Sequence, residues 1–231
     1  MSHPNFILAG LSETTLAAVR KQLAVVKLEQ GQLVAETHQQ IRRVYFPHSG
    51  MLSVVVDLVG GGGIEAGVIG KDGVFGALQA LDTQISLNRV VVQVPGESSV
   101  IEPKALSRLA LELPDLREPL IRYELFLHAQ VQQAAACNAT HKVRSRLARW
   151  LLRVQAICGD ELHLTQEFLA QMIGVRRPSV NDVAKELAGA GIISYRRGQI
   201  QILDTEKLRE WACECEDDLR DHYQHLFHPS E

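Results

Sequence analysis

The chain has 231 residues, enough for one large domain or two of moderate size. Hydrophobic residues make up 46% and charged residues 22%, which is the composition of a globular protein with a substantial core. The four cysteines form no regular framework, no apolar run approaches the ~20 residues of a membrane-spanning helix, and the first residues lack a secretion signal. We therefore expect a cytoplasmic protein with free thiols and no membrane partner.

The net charge of −3 hides a strong asymmetry along the chain. Residues 142–199 contain ten lysines and arginines against five acidic residues, whereas residues 200–231 contain three against nine. A locally basic segment is the electrostatic footprint of a nucleic-acid-binding surface. The sequence therefore predicts a basic module followed by an acidic tail.

Two patterns precede the basic segment. Residues 12–23 place apolar side chains at helical spacing after Ser12, a favourable N-cap, and so predict a short helix. From residue 25 to about 101, short β-branched runs alternate with turns rich in Gly and Pro, which is typical of an all-β sandwich or barrel.

A long helix is predicted after the strands. Residues 104–111 favour a short helix, and the sequence from Pro114 to about 136 favours a long one. Its apolar stripe needs a partner, and two partners are open: a second copy of this helix, or the barrel of the same chain. The side chains of the stripe are Leu120, Leu127, Val131 and Ala134.

A second helix is predicted over about 140–157. Its apolar face contains Leu147, Trp150, Leu151 and Val154. The arginines of this helix are predicted to lie largely outside: Arg144, Arg146, Arg149 and Arg153.

Residues 163–203 carry the most specific pattern in the chain, a helix-turn-helix followed by a two-stranded wing. Thr165 is a good N-cap for the first helix, and Gly174 ends that helix in a turn that favours positive φ. Pro178 suits the first turn of the second helix. The alternative to a DNA-binding module is a helical hairpin whose charged face is simply exposed to solvent.

The polar side chains of this module predict how it would contact DNA. A recognition helix enters the major groove with its N-terminal end first, and an arginine there can donate two hydrogen bonds to guanine, so Arg177 is the predicted base reader. Polar neighbours and the basic wing suit phosphates, which position a protein without reading sequence. The predicted DNA-binding residues are Gln166, Arg176, Arg177, Ser179, Asn181, Lys185, Arg196 and Arg197.

The order of barrel, long helix, basic helix and winged helix-turn-helix resembles the Crp/Fnr superfamily of bacterial transcription regulators. The resemblance covers nearly the whole chain and is most specific in LTQEFLAQMIGVRRPSV and GAGIISYRRGQIQILD. VYFPHSGMLSVVV and IGKDGVFG are similar to the sensor barrel of that family, and KVRSRLARWLL is similar to the helix after its hinge. We place that hinge near Asn138–His141.

This resemblance implies an α+β fold in three parts. Residues 1–113 would form a jelly-roll β-barrel of the cyclic-nucleotide-binding type, 114–139 the central dimerisation helix and hinge, and 140–231 a winged helix-turn-helix domain with an acidic C-terminal helix. The implied partners are a second copy of the chain and double-stranded DNA with a palindromic operator, and the resemblance also allows contact with RNA polymerase. Pro178 stands where many members carry a base-reading glutamate, so the operator would be read differently.

By the same resemblance, an effector would bind in the barrel. Members that bind cyclic AMP hold it with a Gly-Glu-Leu turn and a downstream Arg-Ser pair, which here read Gly76-Ala77-Leu78 and Arg89-Val90. The loss of that carboxylate and hydroxyl argues against cyclic AMP, because a buried phosphate needs charge-assisted partners. A cyclic dinucleotide, another small ligand and no ligand at all remain open. The predicted effector-binding residues are Gly76, Ala77, Leu78, Arg89, Val131 and Gln132.

No metal, iron–sulfur cluster or haem is expected. The iron–sulfur members use an N-terminal cysteine cluster, whereas no cysteine precedes Cys137, and the isolated histidines His38, His48 and His128 make weak haem candidates. Cys213 and Cys215, with His222 and His225 downstream, suggest zinc. Cysteines two residues apart point to different sides of a helix, however, so we expect them only to pack.

Two other classes of function compete with a DNA-binding regulator. An enzyme could use the glycine-rich segments 60–63 or 70–73 on phosphates, but neither matches the phosphate-binding loop pattern, and no enzyme activity is expected. The remaining alternative is a ligand-binding protein-interaction adaptor that does not bind DNA sequence-specifically.

Overall fold

A computed structural model describes residues 3–59, 62–196 and 198–228, which form two compact units. The first unit holds the described parts of 1–55, 67–128 and 223–231, and the second holds those of 56–66 and 129–222. The helices are α1 (Phe6–Ala9), α2 (Glu13–Arg20), α3 (Ala77–Leu81), α4 (Pro103–Glu112), α5 (Pro114–Thr140), α6 (Val143–Cys158), α7 (Gln166–Met172), α8 (Arg177–Gly189), α9 (Thr205–Trp211) and α10 (Cys215–Phe227). The strands are β1 (Ala24–Leu28), β2 (Leu33–Ala35), β3 (Val44–Pro47), β4 (Met51–Asp57), β5 (Gly63–Ile69), β6 (Arg89–Val94), β7 (Gly96–Ile101), β8 (Glu161–His163), β9 (Ile193–Arg196) and β10 (Gln199–Ile202).

The strands β1–β7 form two sheets, in the orders β1-β7-β3 and β2-β6-β4-β5. Strand β7 lies between β1 and β3 and pairs antiparallel with both, with Ala24 opposite Val100 and Val44 opposite Ile101. Two sheets that do not close on each other are the arrangement of a jelly roll. The predicted α+β fold with a jelly-roll barrel is therefore confirmed.

The core of the first unit includes side chains from the long helix α5. Leu120, Tyr123 and Phe126 are almost fully buried, and each stabilises the fold by about 1.5–3 kcal/mol through removal of apolar surface from water. A side chain on residue 73 would have to displace the ring of Tyr123, which favours glycine at this position.

The predicted apolar stripe of α5 does not present one uniform surface. Leu120, its first member, is fully buried in the first unit, whereas Val131 is 38% exposed. Two apolar side chains outside the predicted stripe, Ile121 and Leu125, are 41% and 56% exposed. The exposed apolar surface of this helix therefore differs from the predicted one.

The second unit contains helices α6–α8 and the three-stranded sheet β8-β10-β9. Strand β8 was absent from the sequence prediction, which had only two wing strands. It pairs antiparallel with β10, with His163 opposite Gln199. The pattern missed it because a three-residue strand with one buried side chain, Leu162, carries almost no alternation.

One predicted orientation in helix α6 is wrong. Arg146 was expected on the outside, but it is only 8% exposed, and its guanidinium donates a hydrogen bond to the backbone carbonyl of Ile173. Arg144 does lie outside and stacks its guanidinium over the ring of Trp211 at 4.8 Å. Helical periodicity alone cannot show that Arg146 is buried and Arg144 exposed, because the burial of Arg146 depends on a hydrogen bond to a distant backbone carbonyl.

None of the helices in the described ranges combines the length and the hydropathy needed to cross a membrane.

Candidate nucleic-acid interface

Helices α7 and α8 are joined by a tight turn whose geometry follows from its sequence. The hydroxyl of Thr165 accepts a hydrogen bond from the backbone N–H of Phe168 at 3.2 Å, which caps α7 as predicted. Gly174 has φ +61, the left-handed conformation that glycine adopts without strain. The N–H of Val175 then donates to the carbonyl of Ala170 and closes the turn. Pro178 occupies the first turn of α8, where no donor is required.

Helix α8 buries one face and exposes the other. Its buried side chains are Val180, Val183, Ala184 and Leu187, as the pattern predicted. Arg177, the first residue of the helix, and Lys185, two turns later, are exposed. The geometry therefore presents cations along the outer face of the helix and at its leading end.

Arg146 holds the C-terminal end of α7. Its guanidinium donates a hydrogen bond to the carbonyl of Ile173, the residue that caps this helix. A cation at the C-terminus of a helix is favourable because the last carbonyls have no partners within the helix. This anchor was missed in the sequence, since nothing in the pattern separates Arg146 from the other arginines of α6.

The wing is the hairpin of β9 and β10. Gly198 has φ +82 at its turn, and Arg196, just before the turn, is exposed. Burial raises the pKa of Tyr195, opposed by a backbone hydrogen bond from Gln166 and by the charge of Arg177. The side chain of Tyr195, a residue of the wing, therefore lies near the start of both helices, a position that the sequence analysis did not assign to it.

The structure brings most of the predicted DNA-binding residues to the ends of α7, α8 and the wing. Gln166 donates to the side chain of Asn181 at 3.1 Å, so these two amides support each other across the helices. Ser179 is half-buried in the first turn of α8. Arg197 lies outside the described residues. The exposed cations of the set are Arg176, Arg177, Lys185 and Arg196.

The predicted effector region contains a small cavity in the first unit. Its volume is about 50 Å³, well below the ~300 Å³ at which ligand pockets usually begin. Its lining includes Gly76, Gln79, Glu124 and Leu127. Of the other predicted effector residues, Ala77 is buried in α3, Arg89 begins β6 half-buried, and Val131 and Gln132 are not among the lining residues.

A carboxylate from the long helix α5 reaches the predicted effector-binding turn. An oxygen of Glu124 accepts a hydrogen bond from the backbone N–H of Leu78 at 3.2 Å, at the N-terminal end of α3. Burial raises the pKa of Glu124, and the hydrogen bond from Leu78 opposes that shift. The resemblance did not assign Glu124, although it placed Val131 and Gln132 of the same long helix among the effector-binding residues.

A second group of reactive side chains lies in the second unit. The ligand atoms of four residues, here called the thiol–imidazole cluster, all lie within 4.8 Å of one another. Hydrogen bonding from Cys213 lowers the pKa of Cys137 to about 5, while the same contact raises the pKa of Cys213. The cluster consists of Cys137, His141, Cys213 and Cys215.

The premise behind the expectation of no metal was partly wrong. The two C-terminal cysteines do not share one helix, since Cys213 lies between α9 and α10 and Cys215 begins α10. Their side chains can therefore converge. The sequence also suggested His222 and His225 as partners, whereas the histidine that meets the thiols is His141, more than 70 residues earlier.

Comparison with known proteins places this geometry in a recognised class. Residues 145–211 match the Crp-like helix-turn-helix domain. A curated relative, the CRP-like cAMP-activated global transcriptional regulator of Mycobacterium tuberculosis, is 24% identical over 214 residues, covering 89% of this chain and 96% of the relative.

Solved structures share the fold at low identity. The c-di-GMP responsive global regulator CLP of Xanthomonas campestris superposes with a TM-score of 0.68 at 15% identity, covering 84% of this chain and 100% of that one. FixK2 from Bradyrhizobium japonicum superposes with a TM-score of 0.70 at 13% identity, covering 83% of this chain and 98% of that one.

The fold and the exposed basic helix define a winged helix-turn-helix DNA-binding protein. More closely, residues 145–211 match the Crp-like helix-turn-helix domain, and the chain as a whole is similar to DNA-binding transcription regulators of the Crp/Fnr type.

Proposed function

We propose that the protein is a homodimeric regulator that binds a palindromic operator sequence-specifically through α8. The observation that carries this proposal is the exposed Arg177 at the first position of α8, beside Arg176 at the N-cap. A recognition helix places its N-terminal residues against the base edges. Bidentate donation from arginine to guanine is the commonest specific contact in the major groove.

The other exposed cations support phosphate contacts around this helix. Lys185 lies on the same exposed side of α8 as the base-reading end, and Arg196 stands at the tip of the wing. Phosphate contacts fix the position of a protein on the duplex and carry most of its salt dependence. Arg177 would thus select sequence, while Lys185 and Arg196 would add affinity for any sequence.

Dimerisation is proposed to use the exposed face of α5. Ile121 and Leu125 are one helical turn apart and are exposed apolar side chains on a 27-residue helix. A matching face on a second copy would bury them, and a symmetric pair of recognition helices would read a palindrome. We propose that such a regulator acts in the cytoplasm, with RNA polymerase as a further partner.

The effector is proposed to be something other than cyclic AMP. The Mycobacterium tuberculosis relative is described as cAMP-activated and the Xanthomonas campestris structure as c-di-GMP responsive, so related chains differ in ligand. In this chain, Ala77 offers no carboxylate to a ribose, and Glu124 holds the backbone N–H of Leu78 that an anion would need. A phosphate would have to displace a carboxylate of the same charge.

Salt-dependent binding to short duplexes tests the proposal. Fluorescence anisotropy of the full chain, with DNA selected for binding and with shuffled DNA, should show tighter binding to the selected duplex and a steep loss of affinity as salt rises. Arg108→Ala, which removes an exposed arginine from α4, serves as the matched control for charge. Equal affinity for both duplexes at every salt concentration would contradict sequence-specific binding.

A further inference from the structure

We propose that the thiol–imidazole cluster binds a single tetrahedral Zn²⁺ ion. Three thiols and one imidazole are a ligand set found in structural zinc sites, which are closed by four protein ligands. All three cysteines are buried, at 0%, 8% and 1% exposure. The site uses none of the residues proposed to contact DNA or an effector, so it is independent of the proposed function.

The spacing of the ligand atoms fits a tetrahedron around zinc. With Zn–S bonds of ~2.3 Å and a Zn–N bond of ~2.0–2.1 Å, the edges of the tetrahedron are ~3.8 Å between sulfurs and ~3.6 Å between sulfur and nitrogen. The Sγ atoms of Cys137 and Cys213 are 3.5 Å apart, and Sγ of Cys215 lies 3.5 Å from Nδ1 of His141. Small adjustments of the side chains would open both edges to coordination distances.

The imidazole is already oriented as a zinc ligand usually is. Nδ1 of His141 faces the thiols, while Nε2 lies 3.3 Å from a carboxylate oxygen of Glu214. Histidines that bind metals commonly donate their other ring N–H to a carboxylate, which fixes the tautomer and the ring orientation. Glu214, between the two C-terminal cysteines, would supply that support.

Two arginines lie near the cluster and suit its charge. Three thiolates around Zn²⁺ leave a net charge of −1, which is costly in a buried site without compensation. Arg149 and Arg146 both interact electrostatically with Cys137. Their positive charge would stabilise the loaded site.

A disulfide explains less of this arrangement. An S–S bond of ~2.05 Å would join two thiols and leave the third thiol and the imidazole without a role. Zinc uses all four groups and joins two distant segments, the last turn of α5 and the junction of α9 and α10. In the loaded protein, the C-terminal segment would be fastened to the predicted hinge at Asn138–His141.

The first measurement is the metal content of the full-length protein after purification in buffers without added metal or chelator. Mass spectrometry of metals should find one zinc per chain. Cys137→Ser and Cys213→Ser should each lose that zinc, while Cys158→Ser, which alters the cysteine outside the cluster, should keep it.

A second measurement remains informative if the serine variants fail to fold. Replacing zinc by Co²⁺ in the wild-type protein should give the intense visible bands of tetrahedral cobalt and a thiolate-to-metal charge-transfer band. His141→Cys should retain the metal and strengthen that charge-transfer band, because a fourth thiolate replaces the imidazole.

Several results would overturn the proposal. A wild-type chain with no zinc that also gives no tetrahedral Co²⁺ spectrum would exclude the site. Iron with inorganic sulfide in place of zinc would identify an iron–sulfur cluster. A disulfide between Cys137 and Cys213 in freshly purified protein would show that these two thiols bind each other and not a metal. Loss of zinc in Cys158→Ser equal to that in Cys137→Ser would place the metal elsewhere.

Discussion

The indole Nε1–H of Trp150 donates a hydrogen bond to a carboxylate oxygen of Glu65 across 2.6 Å. Trp150 lies in α6 and Glu65 in β5, and both are buried in the second unit. A hydrogen bond to a charged acceptor is shorter and stronger than one between neutral groups. The described residues of segment 56–66 are therefore anchored to helix α6 of the second unit by a specific polar contact.

Trp150→Phe is expected to destabilise the second unit by about 1–3 kcal/mol, because the buried carboxylate of Glu65 loses a donor while most of the ring packing is kept. Glu65→Gln keeps an acceptor oxygen for Trp150 and is expected to cost less. Urea unfolding measures the free energy of unfolding of each variant. Circular dichroism follows unfolding in both variants, and tryptophan fluorescence follows it in Glu65→Gln as well. A larger loss in Glu65→Gln than in Trp150→Phe would show that the hydrogen bond is not the main contribution.

Arg177→Ala is expected to lose about 1–3 kcal/mol of discrimination at the base pair it reads, with little change in affinity for unrelated DNA. Lys185→Ala and Arg196→Ala are expected to weaken all sequences similarly and to lower the salt slope by about 1 each. Anisotropy titrations at several salt concentrations measure both quantities. If Arg177→Ala weakened selected and shuffled DNA equally, Arg177 would be a phosphate contact instead of a base reader.

Glu124→Gln is expected to stabilise the first unit at neutral pH. Burial raises the folded-state pKa of Glu124 above its usual 4.5, so the folded protein favours the protonated form. The contribution of Glu124 to stability is present below the unfolded-state pKa and is lost as pH rises through the raised folded-state pKa.

The advantage of Glu124→Gln should therefore grow from about pH 4 upward and level off once Glu124 is ionised in both states. The glutamine can still accept the hydrogen bond from Leu78 through its amide oxygen. Thermal unfolding across this pH range measures the effect. A constant difference at every pH would mean that the titration of Glu124 has no part in it.

Leu125→Glu is expected to shift the protein from dimer to monomer, because it places a charge in the proposed contact between two α5 helices. Leu111→Glu is the matched control, since Leu111 is 76% exposed on α4 and outside that face. Sedimentation velocity at several concentrations measures the association state. If Leu111→Glu were monomeric and Leu125→Glu remained a dimer, the dimer interface would not be the proposed face of α5.

Much of the fold was predictable because its signals are local. The β-branched runs between glycine turns gave the strands of the jelly roll, and Thr165, Gly174 and Pro178 delimited the two helices of the DNA-binding module through capping and turn preferences. The exposed cations of α8, Arg177 and Lys185, followed from helical periodicity once its buried stripe was assigned.

The remaining features depend on contacts between segments far apart in the chain. Arg146 is buried because a carbonyl 27 residues away accepts its hydrogen bond, and no periodicity encodes that partner. The thiol–imidazole cluster joins residues more than 70 positions apart. Glu124 meets Leu78 across 46 residues, so the sequence of the ligand-binding turn alone could not reveal it.

The most direct test of a dimer that reads DNA through α8 is selection of binding sites from a pool of random duplexes by the full-length protein, followed by sequencing. The predicted result is a palindrome with two half-sites about one helical turn apart, ~34–36 Å, in which the preference at one position of each half-site disappears in Arg177→Ala. Selection of no common sequence, or of a single half-site unaffected by Arg177→Ala, would contradict it.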